Sequence, residues 1–298
     1  IPAKEVWRVS EDGELRDPFK KLTTVFQMSE EMFFLHYGKD GCNRHVLIDE
    51  CRELFGEIYE QIPELPFCNI WTAMQLSSRL PKGALFHMGV SNTRRCWNMF
   101  QLPESVESAC NVGCCGIDGC VSTLVGASLV NPDRLCYVVV GDLTFFYDLN
   151  SLGNHHIGTN LRVMLVNNGR GTEFRLGIHH CNVFGDDADK YMAAAGHFGN
   201  KSPLLVKHYA EDLGFHYLSA TTKEEFMTAL SNFTNPQLSD HSMILEVFTD
   251  SKDESEALYL MSHIQSDAKG MVRSKLKDAV RNVAGEKGIN AIKKILKK

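Results

Sequence analysis

The 298-residue sequence has no excess of positive charge. It carries 31 Lys and Arg against 37 Asp and Glu, which gives a formal net charge of −6 at pH 7. Proteins that bind nucleic acid use clustered Lys and Arg to neutralise phosphates, so this balance argues against a nucleic-acid partner. The 44% hydrophobic and 23% charged residues are typical of a globular protein with a sizeable core.

The sequence also lacks the patterns of an exported or zinc-binding protein. It has no long apolar run and no secretory leader, and its ten cysteines show no tight repeated spacing. We therefore predict a cytoplasmic protein with reduced thiols. The densest cysteine cluster, "CCGIDGC" at 114–120, has no paired C-x2-C units and no matching His pair. This favours small packing side chains over a zinc site.

The chain shows no internal repeat, and it begins in mid-pattern at Ile1, so we expect a fragment or processed piece. Residues 1–40 have too little apolar mass for a domain and are predicted to be the tail of an upstream central domain. Residues 41–80 have helical periodicity and form a predicted helical lead-in to a main domain at 81–265. Residues 266–298 predict a basic amphipathic helix, which packs on protein or contacts an anionic membrane surface weakly.

Within the main domain, strand and helix patterns alternate. Near-continuous apolar runs occur at 84–89, 135–140, 161–166, 215–220 and 242–250. Helical patterns lie between them, and one helix begins at a capping box formed by Thr222 and Glu225. Apolar strands separated by helices predict an α/β fold, with a doubly wound, mostly parallel sheet covered by helices on both faces.

Polar residues follow two of the predicted strands. Asp142 comes just after "CYVVVG", and Asn168 follows "VMLVN" one crossover later. Ligands of parallel sheets bind where the carboxyl ends of the strands meet, and Mg2+ prefers oxygen ligands that it shares with phosphates. A helix from Thr144 would add backbone N–H groups for an anion. The pattern predicts a Mg2+ and phosphate site at this edge.

This arrangement resembles the diphosphate-binding motif of the thiamine-diphosphate-dependent enzymes, in which G-D-G is followed at a distance by N or NN. The resemblance implies that the side chains of Asp142 and Asn168 bind Mg2+, with the carbonyl of Arg170 as a third ligand. It also implies that Thr144 helps to hold the diphosphate. The third motif residue is Leu143 instead of Gly, a departure from the general pattern.

That departure is similar to one branch of the family, the SEPHCHC synthases of the menaquinone pathway, as are the stretches "GIDGCVST" and "GDLTFFYDLNSL". On this resemblance Ile117 is the bulky residue that bends the cofactor, and the carbonyl of Cys115 accepts a hydrogen bond from the cofactor's amino group. Gly116, Leu143 and Phe174 are further predicted cofactor contacts.

The resemblance covers about residues 5–250 and implies an enzyme dependent on thiamine diphosphate and Mg2+. Such an enzyme decarboxylates a 2-oxo acid and transfers the remaining fragment to an acceptor. The residues that contact the cofactor's pyrimidine would belong to a missing N-terminal domain, expected from a neighbouring subunit of a homodimer or homotetramer. The chain alone is therefore expected to be inactive.

Substrate binding is where the sequence departs from this branch. Ser91 and Arg95 match residues near the substrate carboxylates, although Arg95 also fits a solvated helix start. The branch has an arginine where this chain has Val112, and an apolar residue where it has Glu173. These differences predict an acceptor other than isochorismate, with a true SEPHCHC synthase as the alternative.

The role of Glu173 has two interpretations. It is either an acid/base group whose pKa is raised by burial beside the cofactor, or an ion-pair partner of Arg170 or Arg175. The pairs His155–His156 and His179–His180 are expected in loops at the same sheet edge, with at most one member of each pair facing the site.

Two other classes of protein fit less well. A binding module with a vestigial site would be expected to lose Asp142 or Asn168, and both are present. An NAD-dependent oxidoreductase needs G-x-G-x-x-G after its first strand, and the "GRG" at 169–171 lacks the third glycine.

Overall fold

The computed structural model describes residues 3–38, 46–113, 115–176, 179–187, 190, 202–237 and 239–264. The basic segment 266–298 and Cys114 therefore lie outside the described residues. Contacts along the chain separate two units, residues 1–60 and residues 61–298. Within the described ranges, no helix combines the length and apolar character needed to cross a membrane.

The first unit is built around a small parallel sheet. Strands β1 (Val6–Val9) and β2 (Leu22–Phe26) pair in parallel and are followed by helices α1 (Glu30–Tyr37) and α2 (Val46–Glu60). The ring of Phe33 lies 5.0 Å from that of Phe26. Among the described residues of this unit, Phe33 is the single buried hydrophobic side chain, so the unit has little core.

The second unit contains a six-stranded, entirely parallel sheet in the order β4-β3-β5-β6-β8-β7. Its strands are β3 (Leu85–Met88), β4 (Glu107–Cys110), β5 (Cys136–Gly141), β6 (Leu161–Asn167), β7 (His216–Ala220) and β8 (Met243–Phe248). The predicted parallel α/β sheet is confirmed. Strand β4 was not predicted, because this edge strand is largely exposed and lacks the apolar run that marks the central strands.

Helices cover both faces of this sheet. In β5, Tyr137 and Val139 join one core while Val138 and Val140 join the other, because successive strand residues point to opposite faces. The first core also receives side chains from α3 (Asn69–Leu76), α4 (Asn92–Trp97), α8 (Lys223–Phe233) and α9 (Ser251–Ser262). The second receives them from α5 (Cys120–Val130), α6 (Asp142–Asp148) and α7 (Leu205–Asp212).

Local hydrogen bonds fix where two of these helices begin. The hydroxyl of Thr222 accepts from the backbone N–H of Glu225 at 3.2 Å, as predicted, while the Glu225 carboxylate accepts from the N–H of Thr221 at 2.7 Å. Asp250 caps α9, which the sequence did not predict, by accepting from the N–H of Lys252 at 2.7 Å. Such caps satisfy backbone donors that have no partner in the first helical turn.

The strand order positions a crevice at one edge of the sheet. After β3 the chain crosses to β4 on one side, and β5 then pairs with β3 on the other side. Loops that leave neighbouring strands in opposite directions create a binding crevice at their carboxyl ends. The loops after β3, β5 and β6 therefore surround the candidate site.

Candidate functional site

A cavity of about 150 Å³ lies at the carboxyl ends of β3, β5 and β6. It brings together predicted site residues from separate parts of the sequence: Ser91, Ile117, Asp142, Leu143, Thr144, Asn168, Arg170, Glu173 and Phe174. The predicted cofactor residues Cys115 and Gly116 are not part of its lining. Cys115 is exposed and has a positive φ of 52°, in the turn that leads to Ile117.

The loop after β3 has an unusual backbone. Ser91 has a φ of 60° and a ψ of −121°, a conformation that L-residues with a side chain rarely adopt. Just before it, the N–H of Gly89 donates to the carbonyl of Val139 at 2.7 Å, and a Cβ at Gly89 would lie 3.2 Å from that oxygen. Backbone strain of this kind concentrates at binding and catalytic sites.

Asp142 directly follows β5. It is only 2% exposed and is the first residue of α6, so the helix starts two residues earlier than the expected Thr144. Its Oδ1 accepts from the N–H of Leu143 at 2.8 Å. Burying an ionised carboxylate is costly unless a nearby positive charge compensates it. A buried carboxylate at this position is therefore suited to bind a cation.

The two asparagines at the end of β6, Asn167 and Asn168, have different roles. The side chain of Asn167 is buried and donates to Glu246 Oε1 on β8 at 2.7 Å, so it anchors the loop to the sheet. Asn168 lines the cavity, and its Oδ1 accepts from the N–H of Arg170 at 3.3 Å. The anchoring partner Glu246 was not predicted from the sequence, where it is one residue in an apolar strand.

Arg95 and Glu173 form a two-point ion pair beside the cavity. The Nη1 and Nη2 atoms of Arg95 donate to the two carboxylate oxygens of Glu173 at 2.8 and 2.9 Å, and this hydrogen-bonded carboxylate raises the pKa of Arg95. Their side chains are 31% and 24% exposed, so Arg95 is not a solvated helix-start residue. Glu173 is thus an ion-pair residue, as one of its two interpretations had it, but this partner, Arg95, lies on α4, whereas the predicted partners were Arg170 and Arg175.

Two buried polar groups near the site were also missed. Thr172 lines the cavity, and its Oγ1 is buried with no hydrogen-bond partner. Glu254 on α9 accepts through Oε1 from the N–H of Asn69 at 3.0 Å and from Thr249 Oγ1 at 2.8 Å. Asn69 lines the same cavity, so Glu254 holds one of its walls. No local motif distinguishes these residues in the sequence.

We expect Glu254→Gln to reduce the pH dependence of stability of the metal-free chain. Burial raises the pKa of Glu254 from 4.5 to about 7, so the folded state favours the protonated carboxyl. The protonated carboxyl therefore stabilises the folded chain fully below pH 4.5. This stabilisation, up to about 3 kcal/mol, is lost as pH rises through about 7. Urea unfolding at pH 5 and pH 8 measures the effect. Glu256→Gln, at an exposed position on the same helix, is the control, and an unchanged pH dependence in Glu254→Gln contradicts the assignment.

The histidine pairs do not share one edge of the sheet. His155 lines another cavity, of about 330 Å³, together with residues that lead into β6 and β8. In a parallel sheet that is the amino-terminal edge, so the prediction for His155–His156 was wrong. Their rings also pack together, 3.8 Å between centroids, instead of pointing apart. His179 lies closer to the site, with its ring 5.2 Å from that of Phe174.

Comparison with known proteins agrees with the sequence resemblance. The chain is 33% identical over 263 residues to a Bacteroides fragilis protein named 2-succinyl-5-enolpyruvyl-6-hydroxy-3-cyclohexene-1-carboxylate synthase, covering 86% of this chain and 45% of the relative. Proteins of the same name from Phocaeicola vulgatus and Bacteroides thetaiotaomicron are each 32% identical, over 86% of this chain and 44% of the relative.

Over most of its length, the chain is similar to proteins of this name, abbreviated SEPHCHC synthases. The predicted resemblance to this branch is thereby confirmed, although no protein-family model matches the chain. The chain spans about 45% of the length of the curated relatives that it matches.

Proposed function

We propose that the chain forms the diphosphate-binding half of an enzyme that uses thiamine diphosphate and Mg2+ to decarboxylate a 2-oxo acid and transfer the product fragment. The observation that carries this proposal is the cavity where Asp142, Thr144 and Asn168 meet at the strand ends. The homology to SEPHCHC synthases supports it.

The chemistry of the lining fits the cofactor's anionic end. Mg2+ prefers hard oxygen ligands and keeps several sites for water and phosphate oxygens. Asp142 and Asn168 would supply two side-chain oxygens, and the Arg170 carbonyl a third. Within the described ranges, no group of three or more His, Cys, Asp and Glu side chains lies close enough to hold a metal ion. The unpartnered Thr172 Oγ1 adds a donor.

The rest of the lining would orient the cofactor and exclude water. Ile117, Leu143 and Phe174 give the cavity apolar walls, against which an apolar ring packs. Bound thiamine diphosphate would supply the electron sink that makes loss of CO2 from a 2-oxo acid feasible. The protein's own contribution is to position it and to hold the metal through Asp142.

The pyrimidine half of the site would come from a separate N-terminal domain. We propose that a neighbouring subunit supplies it in a cytoplasmic homodimer or homotetramer. The chain covers 45% of the length of its relative, which supports a further domain in the complete protein. The net charge of −6 argues against nucleic acid among the partners. Membrane contact through residues 266–298 remains a separate proposal.

The acceptor is proposed to differ from isochorismate. Val112 provides no positive charge where the related branch has an arginine, and Glu173 introduces a carboxylate beside Arg95. A site for a multiply carboxylated acceptor would be weakened by both changes, since each disfavours bound anions.

The test is to incubate the complete enzyme with 2-oxoglutarate, pyruvate and isochorismate, and to follow CO2 and products by mass spectrometry. We expect CO2 release that requires both thiamine diphosphate and Mg2+, with a product other than that of SEPHCHC synthase. Efficient formation of the SEPHCHC product would instead identify a divergent SEPHCHC synthase. Cofactor binding without any CO2 release would identify a non-catalytic binding module.

A further inference from the structure

The ion pair between Arg95 and Glu173 places a guanidinium and a carboxylate together beside the cavity. A guanidinium binds a carboxylate best through two parallel N–H groups, and in this protein both carboxylate oxygens of Glu173 already take the Nη1 and Nη2 positions of Arg95. The pair joins α4 to the short 3-10 helix Thr172–Arg175 that follows β6, so it spans two walls of the crevice.

The geometry makes this pair a fixed part of the site. Each side chain is mostly shielded from solvent, with 31% and 24% exposure, and Asn92 Oδ1 lies 3.5 Å from Arg95 Nη1 on the same side. Separating the pair would leave two partly shielded charges without their partners, which costs free energy. An incoming carboxylate would have to displace Glu173 and would then meet its negative charge.

We propose that Glu173 occupies the carboxylate-binding fork of Arg95, so that the substrate arm lying against this pair is uncharged. This inference rests on the proposed function and makes it more specific. The uncharged arm belongs either to the 2-oxo acid or to the acceptor, and in both cases a carboxamide, hydroxyl or alkyl group replaces a distal carboxylate. Glu173 is thus a specificity-determining residue.

The first test measures equilibrium binding to the complete enzyme, loaded with thiamine diphosphate and Mg2+, by isothermal titration calorimetry. Glutarate and its monoamide glutaramate are the probes, since they match in shape and differ by one charge. We expect the wild type to bind glutaramate at least about tenfold more tightly, and Glu173→Gln to reduce or reverse that ratio by at least about tenfold. Glu107→Gln, which breaks an Arg–Glu pair on the edge strand β4, should leave the ratio at the wild-type value.

Several results would overturn the proposal. These are a wild type that prefers glutarate, a Glu173→Gln variant with the wild-type ratio, or a variant that binds neither probe. A thermal melt of each variant checks folding, and Glu173→Leu, close in size, provides the second variant. A change in melting temperature without a change in the ratio would show that the pair is structural only, which also overturns it.

A turnover experiment shows whether the uncharged arm belongs to the 2-oxo acid or to the acceptor. It also tests the proposed function independently. Cofactor-dependent CO2 release is compared for 2-oxoglutarate and its distal amide 2-oxoglutaramate, and product formation from pyruvate is compared for glyoxylate and acetaldehyde as acceptors. A preference for the amide assigns the uncharged arm to the 2-oxo acid, and a preference for acetaldehyde assigns it to the acceptor. No CO2 from any 2-oxo acid would contradict the proposed function, whereas the binding ratio would still decide the role of Glu173.

Discussion

Replacing Asp142 with alanine in the complete enzyme is expected to lower the affinity for thiamine diphosphate in the presence of Mg2+ by more than about 100-fold. Asp142 is a buried carboxylate in the cavity and, in the proposed site, the one charged protein ligand of the metal. Without it the diphosphate's charge would be poorly compensated. Isothermal titration calorimetry at fixed Mg2+ measures the change.

The same strand provides a matched control. Asp133 lies in the exposed turn before β5, whereas Asp142 follows that strand, so Asp133→Ala removes a carboxylate from the opposite sheet edge. This variant should bind the cofactor as the wild type does. If Asp142→Ala keeps wild-type affinity, or if both variants lose it equally, the metal site is not at the end of β5.

The second large effect concerns the chain by itself. We expect the purified 298-residue chain to release no CO2 from any 2-oxo acid, because the described cavity provides only the diphosphate half of the proposed site. The comparison is with the complete enzyme under the same conditions, assayed with 2-oxoglutarate and pyruvate at saturating cofactor. Circular dichroism of the chain confirms that it is folded.

Adding the proposed N-terminal domain would be the complementary experiment. Turnover should appear when the separate N-terminal domain is supplied in trans or restored in the same polypeptide. Measurable decarboxylation by the folded chain alone would show that its own residues complete the site, and the proposed division between subunits would then fail.

The sequence could predict the central sheet because its strands are buried on both faces and therefore apolar at nearly every position. Strands such as β5 and β6 can be recognised for this reason. Because the two strands run parallel, the residues that follow them, Asp142 and Asn168, lie at one edge of the sheet. The half-exposed strand β4 has no such signal. The two small strands of the first unit contain no buried residue, so they lack the continuous apolar run of the central strands.

The site was predictable where a residue follows a strand, and unpredictable where a contact joins distant parts of the chain. Arg95 and Glu173 were each singled out, yet their pairing depends on how α4 meets the loop after β6. The prediction for His155 failed because its position relative to the strand was misjudged. His155 is near β6 in sequence, but it precedes the strand and therefore lies at the amino-terminal edge.

The anchoring of Asn167 to Glu246 also sets the order in which the site can assemble. The loop carrying Asn168 is tied to β8 by this hydrogen bond and by the N–H of Thr249, which donates to the Asn167 carbonyl at 3.1 Å. Strand β8 comes last of the described strands, yet it inserts between β6 and β7. A chain that ends before Met243 lacks both of these partners on and after β8, so it cannot fix the loop that carries Asn168, the proposed second metal ligand. Metal binding would then report that the last strand has been inserted, and early cofactor capture during synthesis would be disfavoured.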